Sequence, residues 1–552
     1  MRRSILILLA ASPSHADAQL AYAEISTGLN APAWDGGRTT LRLADLNLDS
    51  HPDLVSVGDH GSPYINTQMH GVSVWFGDGR NHWSVFQHGD FGYGGVAVGD
   101  VNNDNLPDVA YGVHHNYSNN DLGDQLLEVA LGDGTGTAWT PWDNGLAAHG
   151  QDWGMFGTEL ADFNADGWLD VASVAFGYDD GIHAYLNNRD GSWTRSFGFI
   201  GGNSTMDIGS GDINNDGAVD LITAHQSGSV WINNGQGAFT KADANLPAGG
   251  NLGRRGPSTA DVDLDGRDDF AYATNSGGAS VWRSLPGGTW QNFSGTLPTS
   301  GTIEETHLAD MNADGVIDLV TFGEGQGRVW LGDAAGNWTS AAAFSTPSPG
   351  DYAALTVADA DHNGRPDIAI LSDEGSFSNL RNKLHLFSET SIPTTPSVRV
   401  TSPTINRSLR AGSVLFIDWL AAVPDSDDAV VALALSRSGP EGPWRTITPA
   451  APNNGRAQCI LNTAGPSTNA YIRATLSTAS HGDADHLIGP ITILGADCPA
   501  DFNNDATVNT LDVLTFLNAW AASLPTADFN ADGTVNTLDV LAFLNAWTAS
   551  CL

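Results

Sequence analysis

Lysine is almost absent. Lys241 and Lys383 are the only two among 23 basic residues, against 63 acidic ones, and the formal net charge is −40. Nucleic-acid binding needs a basic face to neutralise phosphate, so this balance argues against it. Cysteine is scarce too: Cys459, Cys498 and Cys551 are the full complement. Charged residues make up only 16% of the chain while glycine numbers 64, which fits turn-rich β structure better than helical bundles or disorder. One apolar run stands out, Ile5 to Ala11, and it is too short for a permanent membrane span. No nucleophile elbow, zinc motif or phosphate loop is present.

That apolar run follows Arg2-Arg3 and precedes Ala16-Asp17-Ala18. The pattern is read as a signal peptide over residues 1–18, cleaved before Gln19, so the mature chain is expected to be secreted or at the cell surface. At 552 residues the chain is too long for one core. Cys498 and Cys551 bracket the C-terminal segment and are read as a disulfide joining its ends in an oxidising compartment. Cys459 is left over and is read as a buried strand residue rather than a reactive thiol.

What the chain has in abundance is aspartate at fixed spacing. A loop D-x-[DN]-x-[DN]-x-x-x-D recurs seven times, starting at Asp45, Asp100, Asp162, Asp212, Asp261, Asp310 and Asp359. A period near 50 residues with several short strands per unit predicts a propeller or similar array. Oxygen side chains at positions 1, 3, 5 and 9 suit a hard cation with six to eight oxygen ligands. The expected calcium ligands are Asp45, Asn47, Asp49 and Asp53; Asp100, Asn102, Asp104 and Asp108; Asp162, Asn164, Asp166 and Asp170; Asp212, Asn214, Asp216 and Asp220. The set continues with Asp261, Asp263, Asp265 and Asp269; Asp310, Asn312, Asp314 and Asp318; and Asp359, Asp361, Asn363 and Asp367. Position 6 must turn sharply with positive φ, which favours glycine. Ser50 is the poorest fit there, so the first loop is expected to bind least tightly.

Aligned on these loops, each unit shows four strands. The third carries Trp75, Tyr185, Trp231, Trp282 or Trp330, and the fourth starts with Trp83, Trp139, Trp193, Phe239, Trp290 or Trp338. Recurring aromatics of this kind are expected to pack between neighbouring units. The seventh unit stops after its third strand, and Leu20 to Ile25 supplies the missing fourth, which leaves no exposed edge. The predicted fold is mainly β. It is a seven-bladed propeller over 19–390, a linker over 391–397 and an immunoglobulin-like or fibronectin-III-like sandwich over 398–496. A small helical calcium-binding module over 498–552 completes it. In the sandwich Leu415, Ile417 and Trp419, Val431, Leu433 and Leu435, and Ile472, Ala474 and Leu476 are expected to face the core, with Asp418 on the solvent side.

The loop array resembles the FG-GAP/VCBS repeats of integrin-α-type propellers, which implies calcium between strands 1 and 2 of each blade. It carries no activity with it. Strand alternation then puts the 2–3 and 4–1 loops on the opposite face. There Trp34, His60, Tyr64, His70, Tyr93, His114, His115, Tyr117, Trp153, Phe156, Arg254, Arg255, Phe377 and Arg381 supply aromatic surfaces and polar partners suited to a sugar.

Two near-identical repeats 27 residues apart close the chain, each followed by apolar residues at helical spacing. They resemble a dockerin, of the bacterial type that ends in a Gly-Cys tail. The resemblance implies calcium at Asp501, Asn503, Asp505, Asn509 and Asp512, and at Asp528, Asn530, Asp532, Asn536 and Asp539. It also implies a cohesin-like or cell-surface partner met through Thr510-Leu511 and Thr537-Leu538. The tail here is Ala-Ser-Cys-Leu, and Ala506 stands where glycine is expected. The functional expectation is an adhesion or carbohydrate-binding protein with a glycan or protein ligand. The alternatives are a polysaccharide lyase or other sugar-active enzyme, with His114, His149 or Arg254 as base candidates, or a structural surface component.

Overall fold

The computed structural model describes residues 20–29, 40–58, 71–113, 122–147, 155–175, 181–200, 207–224, 229–247, 255–348, 353–373, 382–461, 465–495 and most of 500–549, less isolated positions within them. It is mainly β, with repeated four-stranded antiparallel sheets arranged as in a propeller. Seven such sheets are present among the described residues. The third is typical, with strands Met155–Ala161, Asp170–Ala175, Gly181–Asn187 and Trp193–Ile200 in spatial order. The last sheet is completed from the other end of the chain. Tyr22–Glu24 pairs antiparallel with Asn382–Glu389, Tyr22 opposite Glu389.

The first strands touch one another in cyclic order, and the cycle closes between Arg42–Ala44 and Ala354–Ala358. Apolar clusters fill the spaces between adjacent sheets. One joins Leu41, Leu54 and Trp75 to Ala369, Leu371, Leu384 and Leu386, so the first sheet packs on the last. Strands covered on both faces need not alternate in polarity; Asp53–Gly58 and Asp318–Gly323 are buried along their whole length. The fourth-strand tryptophans pack between sheets, and three of them also latch the sheets. Trp193 donates its indole N–H to Trp142 O, Trp290 to Ala242 O and Trp338 to Phe293 O, at 2.7, 2.9 and 2.9 Å, each reaching the preceding sheet.

Two further sheets follow. One holds Ser397–Ser402, Val414–Ala422 and Arg456–Ile460; the other holds Ser408–Arg410, Gly482–Leu494, Ser467–Thr478, Ala429–Ser436 and Trp444–Pro452. Ile417, Trp419, Val431, Leu433, Leu435, Ile472, Ala474 and Leu476 are buried together between them. Cys459 lies in the strand Arg456–Ile460, where burial pushes its thiol up to about 12 and leaves it unreactive at neutral pH.

The C-terminal segment forms helices Thr510–Ala521 and Thr537–Ala549. Phe516 and Phe543 stack at 4.2 Å, and Phe502 and Phe529 meet them edge-on. The two repeats latch reciprocally: Trp520 donates to Asn536 O and Trp547 to Asn509 O, at 2.7 and 3.1 Å. No described helix is long and apolar enough to cross a membrane.

Candidate metal centres and the covered end of the ring

Each aspartate loop folds around its own backbone N–H groups. In the third, Asp162 accepts from Asp166 N and Gly167 N at 3.0 and 2.9 Å, and Asp166 accepts from Trp168 N at 3.1 Å. The position-9 aspartate does a second job. Asp170 accepts from Phe163 N inside the loop and from Asn187 N on the third strand, at 2.9 and 2.8 Å. Asp53, Asp108, Asp220, Asp269, Asp318 and Asp367 repeat this staple, and all seven are fully buried.

Position 6 has positive φ throughout, from 67° at Asn105 to 93° at Gly266, and Ser50 adopts 75°. Position 4 is left-handed as well, in Leu48, Asn103, Ala165, Asn215, Leu264, Ala313 and His362. None of these is glycine; Asn103, Asn215 and His362 are types that tolerate the region, but Leu48, Ala165, Leu264 and Ala313 give no sign of it.

Gathering carboxylates this closely in a buried loop disfavours their charge. Burial, with the neighbouring loop carboxylates adding to it and the N–H bonds opposing it, pushes Asp53 and Asp318 up to about 8 and Asp108 up to about 7. Asp170, Asp220, Asp269 and Asp367 are raised well above the usual carboxylate range for the same reason. A divalent cation would supply the missing positive charge, and in two loops three carboxylate oxygens are placed for one. In the fifth loop one oxygen each from Asp261, Asp263 and Asp265 lies within 4.8 Å of the others, and the same holds for Asp359, Asp361 and Asp367 in the seventh. Oxygens on one calcium shell, at about 2.3–2.6 Å from the ion, span such distances. Asp263 Oδ1 is buried and has no hydrogen-bond partner, although Arg283 donates to Oδ2 at 3.0 Å. In the other five loops the position-3 asparagine amide donates to the position-5 aspartate, as Asn312 does to Asp314 at 2.8 Å.

The sandwich lies across the aspartate loops and touches all seven. Asn454 donates to Asp45 Oδ2 (3.2 Å), Gln458 to Asp100 O (2.8 Å), Val414 N to Asp162 Oδ2 (2.9 Å) and Thr404 to Asp261 Oδ2 (3.0 Å). Arg399 pairs with Asp310 at 3.2 Å, and Val423 N donates to His362 O at 2.9 Å. Arg407 is the centre of this contact. Its guanidinium holds Asp268 through two 2.6 Å bonds and donates to Asp212 O and Gly266 O at 3.1 Å. The close approach explains the position-6 glycines a second time: a Cβ at Gly315 would meet the Arg399 guanidinium, and one at Gly266 would meet Asn406 O.

Beneath the sandwich the first strands enclose a chamber of about 820 Å³. Arg42 and Glu159 pair across it at 2.7 Å, and burial lowers His307 to about 4. Asp418 points away from the sandwich core, as expected, but onto this chamber, where Arg456 holds it at 2.6 and 2.9 Å. No spacing in the sequence marked these residues.

Phe156 lies buried in the strand Met155–Ala161 rather than in a ligand loop. Arg255 begins the strand Arg255–Ala260. Trp34, His60, Tyr64, His70, Tyr93, His114, His115, Tyr117, His149, Trp153, Arg254, Phe377 and Arg381 lie outside the described residues, as do Cys498, Cys551 and residues 1–18. So do Asp501, Asn503, Asp505, Asp528, Asn530 and Asp532. Asn509 and Asp512 form a capping box at their helix, with Asn509 N donating to Asp512 Oδ2 at 2.7 Å, and Asn536 N donates likewise to Asp539 at 2.7 Å.

Comparison with known families bears on the ring and on the C-terminal module. The FG-GAP-like repeat family matches residues 162–223, 212–272, 261–321 and 310–370, and the dockerin type I domain family matches 499–546. The chain carries FG-GAP-like repeats and a dockerin type I domain. Dockerin type I domains bind calcium and cohesins, and proteins that contain them are generally extracellular or attached to the cell surface. No curated protein matches in sequence. Similar solved structures include the Vibrio cholerae biofilm matrix protein Bap1, at 11% identity and TM-score 0.37, covering 68% of this chain and 91% of that one. The NanB sialidase from Streptococcus pneumoniae is 15% identical with TM-score 0.35, covering 66% and 70%. An ancestral GH74 enzyme is 11% identical with TM-score 0.37, covering 86% and 66%.

Proposed function

We propose that the chain is an exported, calcium-binding adhesion or carbohydrate-binding protein. Its ring is a seven-bladed propeller whose aspartate loops hold calcium in a structural role. The immunoglobulin-like or fibronectin-III-like sandwich caps one end, and the dockerin module attaches the whole to a cohesin-like or cell-surface partner. One observation carries the reading of the ring. Every described hydrogen bond between sandwich and ring falls at the aspartate-loop end. A glycan or protein ligand is therefore assigned to the opposite end, where the 2–3 and 4–1 connections carry the aromatic and basic residues. For the module, Leu511 and Leu514 are 55% and 56% exposed, and Leu538 and Leu541 are 56% and 57% exposed at the equivalent places. Two matching apolar stripes of this kind suit a protein partner.

A sugar-active enzyme is the second reading, favoured by Arg42, Glu159 and His307 facing one chamber. A glycan array probed with the full chain in calcium tests both, with bound glycans then checked for cleavage. Calcium-dependent retention of intact glycan supports the binding reading, release of products replaces it with the enzyme, and silence with any glycan moves the ligand to the protein class. Retention on an immobilised cohesin, lost in Leu511→Asp/Leu538→Asp, tests the tail.

A further inference from the structure

A third acidic group lies away from the aspartate loops. Asp124 precedes the third strand of the second sheet, Glu128 sits within that strand (Leu127–Gly132), and Asp143 follows the fourth strand (Trp139–Pro141). One oxygen from each lies within 4.8 Å of the others, a separation that a single calcium shell spans. Glu128 is fully buried. Its Oε1 accepts from Gln125 N at 2.7 Å, while Oε2 is buried with no N–H or hydroxyl donor on it; the side chain instead meets the Asp143 carboxyl, a contact between two acids that needs a shared proton or a bridging cation. Among the described residues no basic side chain pairs with Glu128; burial, the hydrogen bond to Asp143 and the charges of Asp143 and Asp124 all disfavour its ionised form.

The repeats supply an internal comparison. Ala130 faces Val109 in the register where Trp75 faces Leu54, Trp231 faces Leu221 and Trp282 faces Phe270. Two residues earlier those sheets carry Ser73, Ser229 and Ser280, where the second sheet carries Glu128. Four residues into the fourth strand and beyond, Asp143 corresponds to Asp243. In the fourth sheet Lys241 pairs with Asp243 at 2.9 Å; the second sheet has Pro141 in the lysine's place. One sheet thus has an acid, a hydroxyl and a cation where the other has two acids and a proline. A buried carboxylate without a cation is costly. An all-oxygen set with no nitrogen or sulfur donor favours calcium over a transition metal.

We propose that Asp124, Glu128 and Asp143 form a further calcium site, at the end of the ring away from the aspartate loops, which ties the 2–3 connection of the second sheet to its 4–1 connection. Gln125 already spans the same two segments, donating from Nε2 to Asp143 O at 3.3 Å. The 2–3 connection is the one that bears His114, His115 and Tyr117, so the ion would brace the candidate ligand end and is independent of what binds there.

The test is the number of ions held by the full chain in saturating calcium, counted by native mass spectrometry, for wild type, Glu128→Gln and Asp124→Asn. The expected result is one calcium fewer in Glu128→Gln. In Asp124→Asn, one ion should be held roughly tenfold or more weakly, since fewer ligand charges lower affinity. Asp124 is exposed, so that variant carries the test if Glu128→Gln does not fold. An unchanged count and affinity in the variants overturns the proposal. So does a Glu128→Gln protein that keeps every ion and gains thermal stability in chelator, because the carboxyls then share a proton instead.

Discussion

Chelation should destabilise the ring by an amount that grows with pH. In an unfolded chain Asp53, Asp108 and Asp318 titrate near about 4. In the metal-free fold burial raises them to about 8, 7 and 8. The folded state therefore binds these protons more tightly than the unfolded one. Their contribution is fully present at low pH and is lost as pH climbs from about 4 to the folded values. Each pH unit in that window is worth about 1.4 kcal/mol per group. Between pH 5 and 7 each of the three thus removes roughly 2–3 kcal/mol from the metal-free fold. Calcium binds the ionised form and offsets the loss. Exposed Asp78, Asp133, Asp190 and Asp333 have lowered values, from hydrogen bonds to the ionised carboxylate in all four, with burial opposing; their changes fall at lower pH, outside the window. Thermal unfolding of the full chain, followed by tryptophan fluorescence at pH 5, 6, 7 and 8, reads this directly. In chelator the ring's transition should fall steadily with pH. In millimolar calcium it should hold, so the gap between the two curves widens. A gap of equal size at pH 5 and pH 7, or a metal-free protein that gains stability with pH, refutes the reasoning.

Arg407→Ala should cost about 3–5 kcal/mol, because it strands buried Asp268 without its cation; faster amide hydrogen exchange in the loops at Asp212 and Asp261 is the readout, and unchanged protection sinks the docking role. Gly315→Ala should cost more than about 1 kcal/mol of stability, seen as a lower unfolding midpoint, since φ is +90° and the new Cβ meets Arg399; Arg399→Ala in the same chain should restore part of the loss. Ser50→Gly should relieve about 1 kcal/mol of left-handed strain and lower the calcium concentration needed to protect the first loop from proteolysis. Trp338→Phe should cost about 1 kcal/mol through the lost bond to Phe293 O, seen as a lower denaturant midpoint.

Much of the architecture was legible in the chain because it repeats. Seven aspartate loops in register announce seven units, and the truncated seventh unit points to Leu20–Ile25 as its missing strand, which pairs as expected at Tyr22–Glu24. The need for positive φ at position 6 was equally legible, because glycine there is a local backbone requirement that even Ser50 and Asn105 obey. Position 4 was not: Leu48, Ala165 and Ala313 are left-handed without glycine, held by N–H groups converging on the position-1 carboxylate.

The sequence by itself therefore determined the repeated unit, its loops, the alternating core of the sandwich and the paired helices at the end. Each is set by contacts between residues close in the chain or by a period visible along it. Tertiary structure alone decided that the sandwich folds back over the aspartate loops, that Asp418 faces a chamber rather than bulk water, and that Asp124, Glu128 and Asp143 meet. Those contacts join residues up to several hundred positions apart, such as Asn454 and Asp45. They depend on where a closed ring places its ends, which no local spacing encodes.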